Sequence, residues 1–343
     1  SAATRLRRLD EQAEIIVFER GEYVSYANCG LPYYIGDAIT ERERLLVQTP
    51  EGFRSLFNIQ VRTRNEVLAV NPGSKSIQAR DLESGREYEE TYGKLLLAPG
   101  GSPVKPTIPG SDHPTIHTLW TIPDSDRIRA MVDDGRVRSA LVVGAGFIGL
   151  EMAENLHARG IGVTVVEMAD QAMNVLDFEL AAMVHRELRM RQVGLYLNDG
   201  VAAFEPGIAS GVTARLTSGR TVEADLVLLS IGVKPNTGFI ADSGIGLGPK
   251  GHIVVDDFLR TSDQHIYAAG DAIEVMHPLT GQKTAIPLAG PANKQGRIAA
   301  DNMHARTPRS YDGTMGTAIA KVFDLTVGMT GASEKLCRAK GIP

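Results

Sequence analysis

The sequence is poor in cysteine and has no long apolar run. Its 343 residues include only two cysteines, Cys29 and Cys337. Two cysteines exclude a disulfide framework and a four-cysteine zinc site, and they favour a reducing compartment. No apolar run reaches the roughly 18 residues of a transmembrane helix, and the first residues lack the apolar core of a signal peptide. We therefore predict a cytoplasmic protein without a metal site.

The sequence also lacks a strong excess of charge of one sign. It has 36 Lys and Arg residues against 41 Asp and Glu residues, which gives a formal net charge of −5 at pH 7. This balance argues against a nucleic-acid binder or a polybasic membrane-binding protein. Hydrophobic residues make up 43% and charged residues 22%, as in an ordinary globular protein. At about 100–200 residues per domain, the length predicts two or three domains.

The clearest motif is a glycine-rich loop between a predicted strand and a predicted helix. The apolar segment 140–143 precedes GAGFIG at 144–149, and a second strand at 163–166 ends in an acid. In a dinucleotide-binding unit these glycines allow the tight turn, the approach of a pyrophosphate and close helix–strand packing, while the acid binds a ribose. A turn without a ligand is the alternative. The predicted contacts are Gly144, Gly146, Gly149 and Glu167.

The start of the chain is similar to the second half of such a unit. Residues 2–9 predict a helix, and the strand at 15–18 ends in Glu19. The similarity of IIVFE to VTVVE suggests two dinucleotide-binding units. Because no strand or glycine loop precedes the first helix, we expect an N-terminal truncation.

Two more predicted strands run into glycine. Leu95–Ala98 precedes Gly100, and Ile266–Ala269 precedes Asp271. Ligands bind at the carboxyl ends of such buried parallel strands. Asp271 could alternatively cap a turn or a helix. A helix rich in small residues is predicted at 291–303.

Cys29 lies in the segment SYANCGLPYYIGD, at the predicted start of a helix. A helix N-terminus supplies partial positive charge and free N–H groups, which favour a thiolate. The alternative interpretation is a small buried hydrophobic residue. The fifth residue after Cys29 is Tyr34, not the second cysteine of a Cys-x₄-Cys redox pair. Any chemistry must therefore use one sulfur, through a mixed disulfide or a sulfenic acid. Cys337 is predicted to be incidental.

These motifs carry a family resemblance. SYANCGLPYYIGD resembles the active-site segment of the coenzyme A disulfide reductase and NADH-dependent persulfide reductase branch of the single-cysteine pyridine nucleotide-disulfide oxidoreductases. The resemblance continues through LLLAPG, GAGFIGLE, VTVVE, IGVKPN, IYAAGDA and PLAGPANKQGRIAADN to GTAIAKVFDLTVGMTG, in family order. NADH oxidases and peroxidases of this group usually have Ser at the position of Asn28 and lack LPYY, so the coenzyme A branch is favoured.

The resemblance implies an α/β fold with two Rossmann-like domains, the NAD domain being inserted in the FAD domain. The implied division is residues 1–110 and 231–310 for the FAD-binding domain, 111–230 for the NAD(P)H-binding domain, and 311–343 for the start of a truncated α+β dimerisation domain. A homodimer is implied for the full-length parent, with tyrosines of the partner subunit completing the active site.

The resemblance also implies roles for single residues. Cys29 is the implied redox-active nucleophile. Glu19 would bind the FAD ribose, Asp271 a ribityl hydroxyl, and Phe147 would gate the nicotinamide pocket unless it is a core residue. The implied cofactor-binding residues are Glu19, Arg20, Gly100, Asp271, Gly144, Gly146, Phe147, Ile148, Gly149, Glu151, Glu167 and Gly232. The implied coenzyme A-binding residues are Ser1, Arg5, Arg8, Ser25, Asn28 and Asn293.

We therefore predict an FAD-dependent NAD(P)H:disulfide oxidoreductase that reduces coenzyme A disulfide, persulfide or polysulfide through Cys29. Glu167 would repel the 2′-phosphate of NADPH, so NADH is favoured, with NADPH possible. The enzymatic alternative is an NADH oxidase or peroxidase that uses a Cys29 sulfenic acid. A non-catalytic flavoprotein redox sensor is the alternative from another class.

Overall fold

The computed structural model describes residues 1–207, 211–304 and 307–342. Helices and strands alternate along most of this chain, as the predicted mixed α/β class requires. The helices are α1 (Ala2–Leu9), α2 (Leu31–Ile35), α3 (Pro50–Phe57), α4 (Ile122–Asp133), α5 (Phe147–Ala158), α6 (Phe178–Met190), α7 (Ala289–His304) and α8 (Glu334–Lys340). Short 3₁₀ turns lie at Asn28–Gly30, Arg42–Leu45 and Gly238–Ile240.

The strands are short, and most pair within small sheets. They are β1 (Ile16–Phe18), β2 (Ser25–Tyr26), β3 (Leu46–Gln48), β4 (Gln60–Arg62), β5 (Asn65–Asn71), β6 (Ser76–Asp81), β7 (Glu87–Thr91), β8 (Leu95–Leu97), β9 (Gly101–Pro103), β10 (Ile116–His117), β11 (Ser139–Val143), β12 (Gly162–Val166), β13 (Gly194–Tyr196), β14 (Val201–Pro206), β15 (Val212–Leu216), β16 (Thr221–Ala224), β17 (Leu226–Leu229), β18 (Val233–Pro235), β19 (Ile253–Val254), β20 (Ile266–Ala268), β21 (Ile273–Met276), β22 (Lys283–Thr284), β23 (Ala318–Val322) and β24 (Leu325–Met329).

The chain divides into two compact units. Unit 1 comprises Ser1–Tyr26, Leu46–Ser102 and Lys234–Thr317. Unit 2 comprises Ala27–Leu45, Pro103–Val233 and the chain from Ala318 onward. The chain passes from unit 1 to unit 2 within β9 and returns to unit 1 within β18. Both positions lie near the predicted domain boundaries, after residues 110 and 230. The segment that carries Cys29 and the last strands and helix both group with unit 2.

Unit 2 is built on a five-stranded parallel sheet with the strand order β10-β17-β11-β12-β13. Strand β11 pairs with β12 on one side and with β17 on the other, in continuous register. All four residues of β17 and the last four of β11 are buried. Strands covered on both faces require such unbroken apolar runs. The sheet therefore fixes the carboxyl end of β11, from which the glycine loop and α5 follow.

Unit 1 contains three parallel strand pairs, β1 with β4, β8 with β20 and β19 with β21. Strands β5, β6 and β7 form an antiparallel sheet. Helix α1 packs against α7. A buried apolar cluster that includes Leu97, Ile266 and Ile298 joins β8, β20 and α7. These pairings place the ends of β1, β8 and β20, where the sequence predicts ligand contacts, on fixed strands.

Several predicted elements are confirmed by the structure. Helix α1 has the predicted bounds, and α5 begins at Phe147 directly after the glycine loop. Helix α7 begins at Ala289, two residues before the predicted start, and ends at His304. In the described ranges, no helix is both long enough and apolar enough to cross a membrane.

Candidate active site

Cys29 lies at the exposed start of a short helix. Residues Asn28–Gly30 form a 3₁₀ turn, and α2 continues from Leu31 to Ile35. Leu31, Tyr34 and Ile35 are buried, whereas the Cys29 thiol is free and exposed. The apolar face of the helix thus anchors the segment and leaves the sulfur accessible. The predicted helix start is confirmed, and the alternative of a buried hydrophobic cysteine is wrong.

Two arginines hold the carboxyl end of α2. The Arg129 guanidinium donates to the carbonyl oxygens of Tyr34 and Ile39 and lies 4.4 Å from the centre of the Tyr34 ring. Arg159 Nη1 donates to the Ile35 carbonyl oxygen over 3.0 Å. Cations are favoured at helix C-termini, where carbonyl groups lack intrahelical partners. The sequence analysis missed both arginines, since nothing local distinguishes them from solvated helix residues.

The glycine loop of unit 2 has two packed glycines and one open glycine. Gly144 has φ +103°, and a Cβ there would lie 2.4 Å from the Ser230 carbonyl oxygen. A Cβ on Gly149 would lie 2.0 Å from the Gly144 carbonyl oxygen, whereas a Cβ on Gly146 would meet nothing within 4 Å. Gly146 is the N-cap of α5 and offers no side-chain cap. The free N–H groups of α5 and the open space suit a phosphate group.

Glu167 lies beside this loop. Its Oε2 accepts a hydrogen bond of 2.7 Å from the Ala145 N–H, and its Oε1 accepts one of 2.9 Å from the Ala169 N–H. Phe147 and Ile148 are half-buried in the first turn of α5. The structure therefore brings together the loop, its acid and the predicted aromatic residue. Gly232, with φ +116°, has open space where a Cβ would be.

A cluster of ionisable side chains in unit 2 surrounds Tyr33. Burial raises the pKa of the Tyr33 phenol, and the charges of Glu151, Glu154 and Cys29 raise it further, while Lys321 lowers it. Burial and the charge of Glu154 raise the pKa of Glu151 to about 7. Cys29, the predicted nucleophile, and Glu151, a predicted cofactor-binding residue, thus both lie within electrostatic range of one phenol.

The predicted flavin residues of unit 1 lie at strand ends. Glu19 Oε1 accepts a 2.6 Å hydrogen bond from the Gly21 N–H, and Arg20 lies 3.5 Å from Glu66. Gly100 has φ +64° and open space where a Cβ would be. Burial raises the pKa of Asp271, and in the described residues nothing donates to its carboxylate. A half-buried carboxylate without a donor, next to an open glycine turn, suits a hydroxyl-bearing cofactor.

The predicted coenzyme A residues of unit 1 fall into two groups. Asn293 Nδ2 donates to the Ser1 hydroxyl over 2.6 Å, which joins α7 to the start of α1. Arg5 and Arg8 line a cavity of about 230 Å³, in which Arg5 bonds Asp301 over 2.6 Å. The cavity is lined by Arg5, Arg8, Arg297, Asp301 and Arg309.

The remaining predicted contacts are Ser25, which pairs with Gln48 in unit 1, and Asn28, which is exposed next to Cys29 in unit 2. The sequence analysis missed Arg297 and Arg309. Arg297 follows Asn293 by four residues and therefore shares its helix face, a signal that was available. No group of three or more His, Cys, Asp or Glu side chains in the described part of the chain could hold a metal ion.

Known proteins are similar to this chain in sequence and in fold. The chain is 32% identical over 331 residues to the coenzyme A disulfide reductase of Staphylococcus haemolyticus, a match that covers 96% of this chain and 73% of that protein. The structure of reduced Bacillus anthracis CoADR-RHD matches with 49% identity and a TM-score of 0.96, covering 100% of this chain and 61% of that one.

A NAD-dependent persulfide reductase from A. fulgidus matches with 36% identity and a TM-score of 0.95, covering 99% of this chain and 63% of that one. The chain thus spans less than two thirds of the length of these two solved structures. The family model described as pyridine nucleotide-disulphide oxidoreductase matches residues 1–296. The chain therefore belongs to the pyridine nucleotide-disulphide oxidoreductase family.

Proposed function

We propose that this chain carries the cofactor-binding and thiol-bearing parts of an FAD-dependent NAD(P)H:disulfide oxidoreductase that reduces coenzyme A disulfide or coenzyme A persulfide. The observation that carries the proposal is the exposed thiol of Cys29, which lies in the same compact unit as the glycine loop. The coenzyme A disulfide reductase at 32% identity and the persulfide reductase at 36% identity support this substrate class.

Unit 2 would bind the nicotinamide cofactor. The open position at Gly146 and the free N–H groups of α5 would receive the pyrophosphate, and Glu167 would accept from the adenosine ribose. The 80% exposed Met168 follows Glu167, and neither Ala169 nor Asp170 offers a positive charge. A 2′-phosphate would meet only the negative charge of Glu167. We therefore propose a preference for NADH over NADPH.

Unit 1 would hold FAD. Glu19 keeps one carboxylate oxygen without a donor in the described residues, Gly100 leaves room for close approach, and Asp271 has an unsatisfied carboxylate. These residues fit a group that presents hydroxyls and a planar ring. When bound, the two cofactors would supply the electron pair that reduces a disulfide.

Cys29 would act as the nucleophile. Its thiolate attacks one sulfur of the coenzyme A disulfide, so that a Cys29–coenzyme A disulfide forms and one coenzyme A thiolate leaves. Two electrons then cleave this mixed disulfide, releasing the second coenzyme A and restoring the Cys29 thiolate. No second cysteine follows within the segment, so the exchange uses one protein sulfur. Arg8, Ser25, Asn28 and Asn293 are proposed to orient the substrate, in a homodimeric parent.

The test is the Cys29→Ser variant of the full-length protein, with Cys337→Ser as the matched control. Coenzyme A disulfide reduction with NADH should fall at least about 100-fold in Cys29→Ser, because the attacking sulfur is gone. Cys337→Ser should retain wild-type turnover, since Cys337 lies on α8 and not in the α2 segment that carries the proposed nucleophile. Coenzyme A disulfide turnover that survives in Cys29→Ser would contradict the role of this sulfur.

The alternative is an NADH oxidase or peroxidase. An exposed single thiol without a resolving cysteine in its segment is also what a stable sulfenic acid requires. The two functions are separated by turnover with coenzyme A disulfide, peroxide and oxygen at equal concentrations. Faster turnover with peroxide or oxygen would favour the alternative.

A further inference from the structure

Helices α2 and α5 pack against each other in unit 2. At their crossing, a Cβ on Gly36 would lie 2.1 Å from Asn155 Oδ1. Asn155 Nδ2 in turn donates to the Glu151 carbonyl oxygen over 2.8 Å. Residues four apart share a helix face, so Glu151 lies on the face of α5 that meets α2.

On the α2 side, Cys29 and Tyr33 are also four residues apart in one continuous helical segment. They are therefore neighbours on one face. The charges of Glu151 and Cys29 both raise the pKa of the Tyr33 phenol. The crossing thus brings a carboxyl group on one helix and a thiol on the other within electrostatic range of one phenol.

Glu151 and Glu154 share this helix but have different partners. Glu154 bonds Lys321 and accepts from the Phe323 N–H. No hydrogen bond to the Glu151 carboxyl group occurs within the described residues. Strands β11 and β12, which adjoin α5, carry no ionisable side chains. Among the described residues, the charge that acts on Glu151 is that of Glu154 on its own helix. The Tyr33 phenol is affected by Glu151 and Glu154 from α5, by Cys29 from the α2 segment and by Lys321 from β23.

We propose that Glu151 and Tyr33 form a proton-donating pair that serves the thiol leaving from Cys29. This inference rests on the proposed function. When the Cys29 thiolate displaces a coenzyme A thiolate, the phenol donates its proton to the leaving sulfur and takes one from the Glu151 carboxyl group. Glu151 is then protonated again from water, so each exchange consumes one solvent proton and no electrons.

Relative acidity explains why two groups are needed. An alkyl thiol has a pKa of about 8.5, and an ordinary tyrosine one of about 10. Burial raises the pKa of Tyr33 further, so the phenol alone is too weak an acid to protonate a thiolate. With its pKa near 7, Glu151 is a stronger acid than the thiol, and it makes the transfer favourable. Glu151 is a positioning and proton-holding residue that acts through Tyr33.

The test uses the FAD-loaded full-length protein in a Cys337→Ser background, with Glu151→Gln, Tyr33→Phe and the double variant. The first release of coenzyme A from coenzyme A disulfide is followed in a single turnover. For each variant, the ratio of the wild-type rate to the variant rate should be about 100 near pH 6 and fall toward 1 by about pH 8. The ratio is used because ionisation of the attacking Cys29 thiol affects both rates equally. The double variant should release coenzyme A at the same rate as each single variant, because both residues belong to one proton-transfer pathway.

Two controls exclude a structural effect. Glu205→Gln, which changes an exposed carboxylate of β14, should keep the wild-type rate. Ellman's reagent releases an aromatic thiolate that is stable without a proton, so its reaction with Cys29 should be equally fast in all variants. Slow reaction with both disulfides, or coenzyme A release insensitive to Glu151→Gln, would overturn the inference. A wild-type protein that reacts with Ellman's reagent but not with coenzyme A disulfide would instead contradict the proposed function.

Discussion

Strands β1 and β12 have similar sequences and end in an acid, but the two acids have different partners. Strand β12 pairs with a parallel strand on each side, whereas β1 pairs with β4 only, among the described residues. Glu167 accepts the N–H of Ala145, 22 residues earlier in the glycine loop. Both acids also accept the N–H two residues later, Glu167 from Ala169 and Glu19 from Gly21, so the contact with the glycine loop is what distinguishes them.

The difference shows what orients such an acid. The strand sequence and the acid are shared, so they do not determine where the carboxylate points. In unit 2 the loop between β11 and α5 supplies a backbone donor that turns Glu167 toward the proposed pyrophosphate position. In unit 1 the donor comes from the turn that follows Glu19. The neighbouring backbone, not the acid itself, therefore prepares the site.

The largest expected effect comes from filling the glycine loop. Gly144→Ala combines a positive φ with a 2.4 Å approach to the Ser230 carbonyl oxygen, so the free energy of unfolding should fall by about 3 kcal/mol. Gly146→Ala meets no atom within 4 Å and should leave stability unchanged within about 0.5 kcal/mol. Urea unfolding of the two variants measures both. Equal free energies of unfolding for the two variants would contradict this explanation of the glycine loop.

Gly146→Ala should still weaken nucleotide binding, because a methyl group would occupy the space proposed for the pyrophosphate. We expect NADH affinity to fall at least about tenfold, measured by titration at fixed salt concentration. Unchanged affinity would mean that the phosphates do not approach Gly146.

Glu151 is a third acid to compare with Glu19 and Glu167. Unlike Glu167, its carboxyl group accepts no hydrogen bond from a backbone N–H in the described residues. Its pKa rises from 4.5 to about 7, so the folded state holds the proton more tightly than the unfolded state. The contribution of Glu151 to the free energy of unfolding is therefore greatest below about pH 4.5 and is lost as the pH rises from about 4.5 to 7. With allowance for partial exposure, the loss should be about 2 kcal/mol.

Glu151→Gln should remove this part of the pH dependence. Unfolding free energies of wild type and variant between about pH 4.5 and pH 8 measure it as a difference. Parallel curves for the two proteins would show that Glu151 ionises normally.

The smallest effect separates the two acids directly. Glu167→Gln should weaken NADH binding about tenfold, or about 1.4 kcal/mol, because a charged acceptor is lost. NADPH binding should weaken less, since the repulsion of its 2′-phosphate disappears as well. Glu19→Gln is the matched control and should leave the affinity for both nucleotides unchanged. A similar loss in both variants would mean that Glu167 does not contact the nucleotide.

The sequence predicted the elements whose signals are local. The bounds of α1, the loop–helix junction at Gly146 and Phe147, and the helix after Cys29 follow from glycine spacing and short apolar runs. Long-range contacts carry no such pattern. Arg129 on α4 and Arg159 directly after α5, which bind α2, lie far along the chain from their partners. The same is true of Arg309, which lines one cavity with Arg5. Only folding brings them together, so a reading of neighbouring residues could not identify them.

The arginine contacts at the end of α2 have a consequence for fragments of this protein. A helix of five residues is far below the length at which an isolated helix is stable in water. Its order depends on guanidinium groups more than 90 residues away along the chain. A peptide spanning residues 25–37 would thus be an unstructured coil with an ordinary cysteine, and an engineered minimal version must retain residues 122–159 to keep the thiol in place.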